Sequence, residues 1–300
     1  MNIKRLLQHH SRNAKVPYAQ VLMHYAMERF LYRLSLSRYA EKFFLKGGML
    51  LMGMGATPAR TTMDIDLLGR IDNSPDHIRK AFQEIVHVKA GASDDVQMSD
   101  DLTVSEIMLN AVYHGVRVQI PASVAGEPCS ISIDIGFSDE IVPQPTALDY
   151  PPIIEGMPSP RIRCYSRESI VAEKWQSLVQ LAGFTNRMKD YYDLWFLAHN
   201  YKFEFLSLQA AILDTFARRE TQIKQYAVLK SPEYLLKMQP LWTTYLSKLK
   251  SATFSRKPPV ALPDKDLEAL VNELLKWLVP PMLETHKGKW NPQTGWRFKD

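Results

Sequence analysis

Two aspartates separated by one residue stand in an apolar run of the sequence. Asp64 and Asp66 flank Ile65 in the segment RTTMDIDLLGR, residues 60–70. The alternation predicts a half-buried strand, although strands disfavour aspartate. Side chains two apart on a strand point the same way, so the two carboxylates would repel each other. Magnesium ions held by such carboxylates would suit phosphoryl transfer. An edge strand whose polar face meets solvent is the simpler alternative.

A pair of glycines follows the strand that the sequence predicts just upstream. In LKGGML, Gly47 and Gly48 end the strand before one or two helical turns. Backbone N–H groups in such a turn can hold a phosphate, although most glycine pairs are only turns. No Gly-Lys-Ser/Thr follows, and the nearby GMGATP departs from the dinucleotide-binding pattern GxGxxG at its last position.

A third aspartate interrupts another alternating segment, SISIDIGFSD, residues 130–139. Asp134 stands at the centre of this predicted strand. If the strand pairs beside the one that carries Asp64 and Asp66, Asp134 completes a group of three carboxylates. A strand aspartate that faces solvent explains the segment equally well.

Two predicted helices carry charged residues among apolar ones. Lys174 lies within the apolar stripe of RESIVAEKWQSLVQLA, where it must either extend its ammonium to water or meet an anion. Asp190 and Asp193 lie in NRMKDYYDLWFLAHN, which is apolar on nearly every side and should be buried. A buried acid needs a partner, and Lys174 or Arg187 could serve. A structural ion pair between the helices and a catalytic role both stay open.

The elements around these residues divide the chain into two parts. Residues 17–40 and 74–88 have helical periodicity, and 94–137 alternate like strands. The proline-rich residues 142–160 favour a loop or linker, because prolines exclude helix. From Ser166 to about residue 282 the pattern is helical. We therefore predict an α+β fold with an N-terminal domain over residues 1–160 and a helical domain over residues 161–300.

Composition excludes several classes of protein. With 46% hydrophobic residues and two distant cysteines, the 300-residue chain is neither disordered nor built on a disulfide framework. The N-terminus lacks the apolar segment of a signal peptide, and no run is long enough to span a membrane, so we expect a cytoplasmic protein. A net charge of +5 fits an anionic partner. The aromatic and basic tail, residues 286–300, suits either RNA binding or packing on the helical part.

Taken in order, the motifs resemble those of one protein family. LKGG, then RxTxDxD, IDIGFSD, AEKWQSL and RMKDYYDLWFL resemble the AbiEii-type nucleotidyltransferase toxins of type IV toxin–antitoxin systems, within the polymerase-β-like superfamily. The resemblance covers residues 45–197. It implies a polymerase-β-like nucleotidyltransferase domain with a mixed β-sheet and flanking helices, and a mainly helical C-terminal domain that completes the active site. Much of the superfamily has Gly-Ser where this chain has Gly47-Gly48.

The resemblance also implies roles for individual residues. Asp64 and Asp66 would be catalytic metal ligands for Mg²⁺, with Mn²⁺ as an alternative, and Asp134 would bind metal or take a proton. The implied nucleotide-binding residues are Lys46, Gly47, Gly48, Arg60, Thr62 and Asp193. Thr62 would orient the first aspartate or touch phosphate. Lys174 would stabilise charge on the triphosphate, and Asp190 or Asp193 would position Lys174 or contact base or ribose.

The implied activity is transfer of a nucleoside monophosphate from an NTP to an RNA acceptor, with tRNA 3′ ends as the expected target and pyrophosphate as the product. A cognate antitoxin protein is the expected partner, and no membrane is involved. Two alternatives stay open. One is an enzyme of the same superfamily that modifies protein, by AMPylation or phosphotransfer. The other is a nucleotide-binding or RNA-binding protein without catalysis.

Overall fold

The computed structural model describes residues 1–56, 62–91, 93–109, 113–137, 139–182, 186–253, 261–284 and 286–298. The chain divides into two compact units. Unit 1 comprises residues 1–139 and 145–165, and unit 2 comprises residues 140–144 and 166–300. The predicted mixed sheet with flanking helices is confirmed, whereas the predicted domain boundary at residue 160 stays a prediction. None of the helices in the described ranges combines the length and apolar character that a membrane crossing requires.

Unit 1 combines helices with one sheet. The helices are α1 (Ile3–Ala14), α2 (Tyr18–Leu36), α3 (Gly47–Gly53) and α4 (Pro75–Val86). The strands are β1 (Phe43–Lys46), β2 (Asp64–Gly69), β3 (Val96–Met98), β4 (Thr103–Leu109), β5 (Tyr113–Val124), β6 (Glu127–Gly136), β7 (Thr146–Asp149) and β8 (Arg161–Cys164). Strand β7 lies inside the proline-rich stretch that the sequence favours as a loop or linker, so part of that stretch belongs to the sheet.

The sheet of unit 1 mixes parallel and antiparallel pairs. Its strand order is β3-β5-β6-β2-β1-β8-β7, and β4 also pairs with β5. Strand β2 runs parallel to β6 and antiparallel to β1. Strand β6 runs antiparallel to β5. The strands that carry the candidate acids, β2 and β6, are therefore neighbours at the centre of the sheet.

Helices pack on one face of this sheet because their apolar stripes need cover. In α4, Pro75 occupies the first turn after Ser74, and Ile78, Phe82 and Ile85 are fully buried. The Phe82 ring stacks on Phe30 of α2 at 5.7 Å and meets Phe43 of β1 edge-on at 5.4 Å. These contacts form the apolar core of unit 1 on this side of the sheet.

Unit 2 is mainly helical, as its periodicity predicts. Its helices are α5 (Arg167–Gln180), α6 (Met188–Asn200), α7 (Phe205–Arg218), α8 (Pro232–Thr253) and α9 (Leu267–Leu283), with a 3-10 helix at Ile223–Lys230. Three fully buried tryptophans, Trp175, Trp242 and Trp277, dominate its core. A small antiparallel sheet joins β9 (Phe203–Glu204), β10 (Gly288–Asn291) and β11 (Gly295–Phe298).

The aromatic tail forms the hairpin β10–β11 and packs within unit 2. Trp290 is buried and donates its indole N–H to the carbonyl of Ala198 at 2.8 Å. Trp296 donates to the carbonyl of Trp277 at 2.9 Å and meets the Phe205 ring edge-on. The sequence predicts a tail that either binds RNA or packs on the helical part, and packing accounts for both of its tryptophans.

Candidate active site

The pairing of β2 with β6 brings three aspartates together on one face of the sheet. In the parallel register, Asp66 lies opposite Asp134 and Asp64 lies opposite Ser132. Carboxylate oxygens of Asp64, Asp66 and Asp134, the acid triad, all lie within 4.8 Å of one another. Asp134 is buried and the other two are half-buried. Alternation sends Ile65, Leu67, Ile133 and Ile135 to the opposite face from the acids, and the acid face also carries a buried apolar residue, Leu68.

A hydrogen-bonded chain holds the first acid. Thr62, itself buried, donates its hydroxyl to Oδ1 of Asp64 at 2.9 Å. The Thr62 carbonyl in turn accepts from Nε2 of His24 on α2 at 2.8 Å. Burial lowers the pKa of His24, although the hydrogen bond opposes that shift, so the ring is a neutral donor at pH 7. Asp64 is thus oriented from the helical layer.

Gly47 lies directly against the second acid. A Cβ atom at this position would lie 1.9 Å from Oδ2 of Asp66, and the backbone φ of +64° also favours glycine. Any side chain at position 47 would therefore displace Asp66, and the positive φ would strain its backbone. The backbone at the start of α3 and the Asp66 carboxylate therefore share one confined space.

Charged residues lie side by side across four neighbouring strands. The registers place Arg117 of β5 opposite Asp134, Asp134 opposite Asp66, and Asp66 opposite Lys46 of β1. We call these four residues the charged row. Cross-strand neighbours on one face lie about 5 Å apart, so the two acids share the field of a cation at each end.

Arg117 holds the third acid through two hydrogen bonds. Its Nε and Nη2 donate to Oδ1 and Oδ2 of Asp134, each at 2.7 Å. These bonds and the charge of Asp134 raise the pKa of Arg117, and the charges of Asp64 and Asp66 act in the same direction. Both Asp134 oxygens thus accept a hydrogen bond from a cationic donor.

Lys46, at the other end of the charged row, pairs with a different acid. Its ammonium lies 2.9 Å from Oδ2 of Asp139 and 5.3 Å from the centre of the Tyr165 ring. The Tyr165 hydroxyl donates to the same Asp139 oxygen at 3.4 Å. Both partners of the ion pair are largely buried, so the position of the ammonium is well defined.

Unit 2 contains a second charged cluster, formed by α5 and α6. The ammonium of Lys174 lies 2.8 Å from Asp190 and 2.7 Å from Asp193. Arg187 donates to the other oxygen of Asp190 at 3.1 Å. Asp193 is completely buried, which makes the Lys174 contact energetically important. Burial alone would raise the pKa of Asp190, but Lys174 and Arg187 lower it.

The acid triad has the chemistry of a divalent-metal site. Its donors are all carboxylate oxygens, which Mg²⁺ and Mn²⁺ prefer, and they converge from two adjacent strands. These residues therefore fit a divalent cation, and their confinement by Gly47 and Thr62 fixes where the oxygens lie. Among the other predicted site residues, Gly48 is buried in α3, whereas Arg60 lies outside the described residues.

Two residues outside the set predicted from the sequence, Arg117 and His24, also support this site. Arg117 stands between two valines in the alternating segment YHGVRVQI, which breaks the strand pattern much as Asp134 does. That signal could have identified it. His24 lies in the predicted helix 17–40 with no local signal, because its partner Thr62 is 38 residues away.

Comparisons with known proteins agree with these observations. Residues 29–273 match the model of the family described as "Nucleotidyl transferase AbiEii toxin, Type IV TA system". No curated protein matches the chain in sequence.

Two solved structures from Helicobacter pylori overlap most of the chain. JHP933 is 16% identical, with 87% of this chain and 94% of that chain covered at a TM-score of 0.47. The second, provisionally described as a nucleotidyltransferase, is 15% identical, with 90% of this chain and 100% of that chain covered at a TM-score of 0.46. Both overlaps are too loose to assign an activity.

Proposed function

The chain belongs to the AbiEii nucleotidyltransferase toxin family of type IV toxin–antitoxin systems, and from that premise we propose a specific reaction. The protein transfers a nucleoside monophosphate from an NTP to an RNA acceptor, the 3′ end of tRNA, and depends on Mg²⁺. Its N-terminal unit has the polymerase-β-like nucleotidyltransferase fold. The acid triad, assembled from β2 and β6, is the observation that carries this proposal.

The proposed reaction needs a site for two concentrations of negative charge, the triphosphate and the acceptor oxygen. The acceptor hydroxyl oxygen forms a bond to the α-phosphorus, and the bond from the α-phosphorus to the oxygen that bridges to the β-phosphorus breaks. Pyrophosphate leaves, and the hydroxyl proton passes to solvent water. A bound divalent cation supplies charge neutralisation on the phosphates. Asp64 and Asp66 hold the cation, and Thr62 keeps Asp64 oriented for that task.

The remaining residues of unit 1 act on the nucleotide or on the third acid. Lys46, Gly47 and Gly48 bind the triphosphate, the glycines through backbone N–H groups, and Arg60 adds positive charge. Asp134 serves as a metal ligand rather than as the proton acceptor. This choice is supported by geometry, because a carboxylate oxygen of Asp134 converges with oxygens of Asp64 and Asp66 within 4.8 Å.

Lys174 has the proposed role of stabilising charge that develops on the triphosphate in the transition state. Its two carboxylate contacts support that role, because Asp190 and Asp193 hold the ammonium in one position. Preorganised charges contribute more to catalysis than flexible ones, since no reorganisation is needed during the reaction. The proposed protein partner is a cognate antitoxin that keeps the activity in check.

A labelling experiment tests the proposed function. The full chain is incubated with each α-phosphate-labelled NTP, Mg²⁺ and total tRNA, and the RNA and protein fractions are separated. We expect label on tRNA from at least one NTP. Asp66→Asn keeps the shape of the side chain but removes the charge, and we expect it to lower the rate at least about 100-fold.

The matched control is Asp149→Asn, which removes an aspartate whose side chain is 71% exposed and lies at the end of β7. Its labelling rate should equal that of the wild type. Label that appears on protein instead of tRNA would show a protein-modifying enzyme. Folded wild-type protein that labels neither fraction would contradict the proposed reaction.

A further inference from the structure

Arg117 occupies both oxygens of Asp134, through which this carboxylate would bind a metal ion. Its guanidinium spans both oxygens of Asp134 at 2.7 Å, the two-point geometry in which arginine binds carboxylates most strongly. Asp134 is also a member of the acid triad, whose oxygens converge within 4.8 Å. One carboxylate therefore belongs to two competing arrangements.

The charge balance of the site makes the competition direct. The three carboxylates of the acid triad carry a formal charge of −3, and the guanidinium of Arg117 adds one positive charge beside Asp134. Arg117 lies in the field of all three acids, because Asp64 and Asp66 act on it as well as Asp134. It is thus a counter-cation that offsets the repulsion among three close carboxylates.

The side chain of Arg117 is exposed enough for its guanidinium to move into solvent. Its side chain is 42% exposed, whereas that of Asp134 is 10% exposed. The acid is fixed in the sheet, and the arginine reaches it from β5 with a solvent-exposed path beside it. Of the two partners, Arg117 can move away at the lower cost, since its charge can be rehydrated.

We propose that Arg117 is an exchangeable counter-cation of the acid triad, which holds Asp134 without metal and releases at least one of its oxygens when a divalent cation binds. The inference rests on the proposed function, from which it takes the divalent cation. In this arrangement Arg117 sets the affinity of the acid triad for the cation. Asp134 becomes a ligand only when the cation displaces Arg117 from it.

An ordinary supporting role for Arg117 predicts the opposite effect on metal affinity. Residues that hydrogen-bond a metal ligand usually strengthen binding, and their loss typically costs about 10–100-fold. Here the donor carries a full positive charge and engages both oxygens of the ligand. Repulsion of the incoming cation then outweighs orientation of the ligand, so removal of Arg117 should strengthen metal binding.

The test is calorimetric titration of the full chain with Mn²⁺, without nucleotide. Arg117→Gln keeps a hydrogen-bond donor and removes the charge, and we expect the Kd for Mn²⁺ to fall about tenfold. Arg117→Lys keeps the charge but can donate from only one nitrogen. Its Kd should lie between the Kd of the wild type and that of Arg117→Gln. A thermal-melt series should show a larger Mn²⁺-induced rise in melting temperature for Arg117→Gln than for the wild type.

The control Arg161→Gln removes one positive charge from β8, where Arg161 faces Asp149 at 3.9 Å. It should leave the Kd unchanged, and an equal shift in both variants would overturn the inference by showing an effect of net charge alone. A Kd for Mn²⁺ that is higher or unchanged in Arg117→Gln would also overturn the inference about Arg117. If Asp66→Asn abolishes Mn²⁺ binding in the same experiments, the proposed metal site still stands. Absence of Mn²⁺ binding in the wild type would contradict both.

Discussion

At the scale of single residues, each acid of the triad is held by a different device. Asp64 accepts from the Thr62 hydroxyl, and Asp134 accepts from the Arg117 guanidinium. Asp66 is confined by the Gly47 backbone. Three independent restraints on three like charges indicate that the positions of these carboxylates matter, since each restraint limits the relaxation that would separate them.

The contact between Gly47 and Asp66 makes a prediction about substitution. Gly47→Ala adds a Cβ atom where Oδ2 of Asp66 lies, 1.9 Å away, at a φ of +64°. We expect it to abolish transfer activity and to lower the free energy of unfolding by about 2–4 kcal/mol, from strain and overpacking together. Chemical denaturation and the labelling assay measure the two effects.

The control for this prediction is Gly55→Ala in the same region of unit 1. Gly55 also has a positive φ, +94°, but its Cβ would meet no atom within 4 Å. It should lose about 1 kcal/mol of stability from backbone strain and keep its activity. Equal losses of activity in the two variants would show that backbone conformation, rather than contact with Asp66, is what matters at Gly47.

At the scale of elements, helices α5 and α6 are joined by a buried cation between two buried acids. Lys174 of α5 contacts Asp190 and Asp193, which lie three residues apart on α6 and so on one side of that helix. Because the surroundings are apolar, each charge is stable there only when it is paired with an opposite charge. The helix pair is therefore a rigid frame for Lys174 at neutral pH, and its rigidity depends on the ionisation of the acids.

This dependence predicts an acid-sensitive contribution to stability. The native pKa of Asp190 lies below its ordinary value of 3.8, so its charge stabilises the fold above that pH. The contribution is lost as the pH falls through the native pKa. Asp190→Asn should reduce the free energy of unfolding at pH 7 by about 1–3 kcal/mol and by less at pH 3.

Urea unfolding of the wild type and the variant at pH 7 and pH 3 measures this difference. Asp149→Asn is again the control, because its exposed ion pair with Arg161 should contribute less than about 1 kcal/mol at either pH. A destabilisation by Asp190→Asn that is the same at both pH values would mean that the charge of Asp190 does not contribute.

At the scale of the whole molecule, the predicted functional groups are divided between two compact units. The acid triad and Lys46 belong to unit 1, and the Lys174 cluster belongs to unit 2. Each unit has its own core, built around the sheet in unit 1 and around buried tryptophans in unit 2. The chain as a whole carries a net charge of +5, which favours polyanionic partners.

The net charge predicts how binding of the proposed acceptor responds to salt. Contacts between lysine or arginine and phosphate release counterions, so tRNA affinity should fall steeply as salt rises. We expect the Kd of the wild-type protein for tRNA, without NTP, to increase about tenfold or more between 50 and 200 mM NaCl. Fluorescence anisotropy with labelled tRNA measures it, with circular dichroism as the control for folding. A Kd independent of salt would contradict phosphate-based binding.

The sequence by itself determined the local features of this protein and its family. Alternation predicts strands around Asp64, Asp66 and Asp134 and places Asp64 and Asp66 on one face of their strand, and the glycine pair marks the turn after β1. Both are consequences of neighbouring residues, because side-chain direction on a strand has a period of two. The order of the motifs was sufficient to identify the family.

Only the tertiary structure decided which of these residues meet. Strand register depends on packing between distant segments: it sets Asp134 beside Asp66, 68 residues away in sequence, and Arg117 beside Asp134. The contact of Gly47 with Asp66 and the distant support from His24 likewise follow from packing. Arg117 breaks the alternation of its own segment, but its partner Asp134 could not be named from the sequence, because strand pairing and not spacing along the chain defines it.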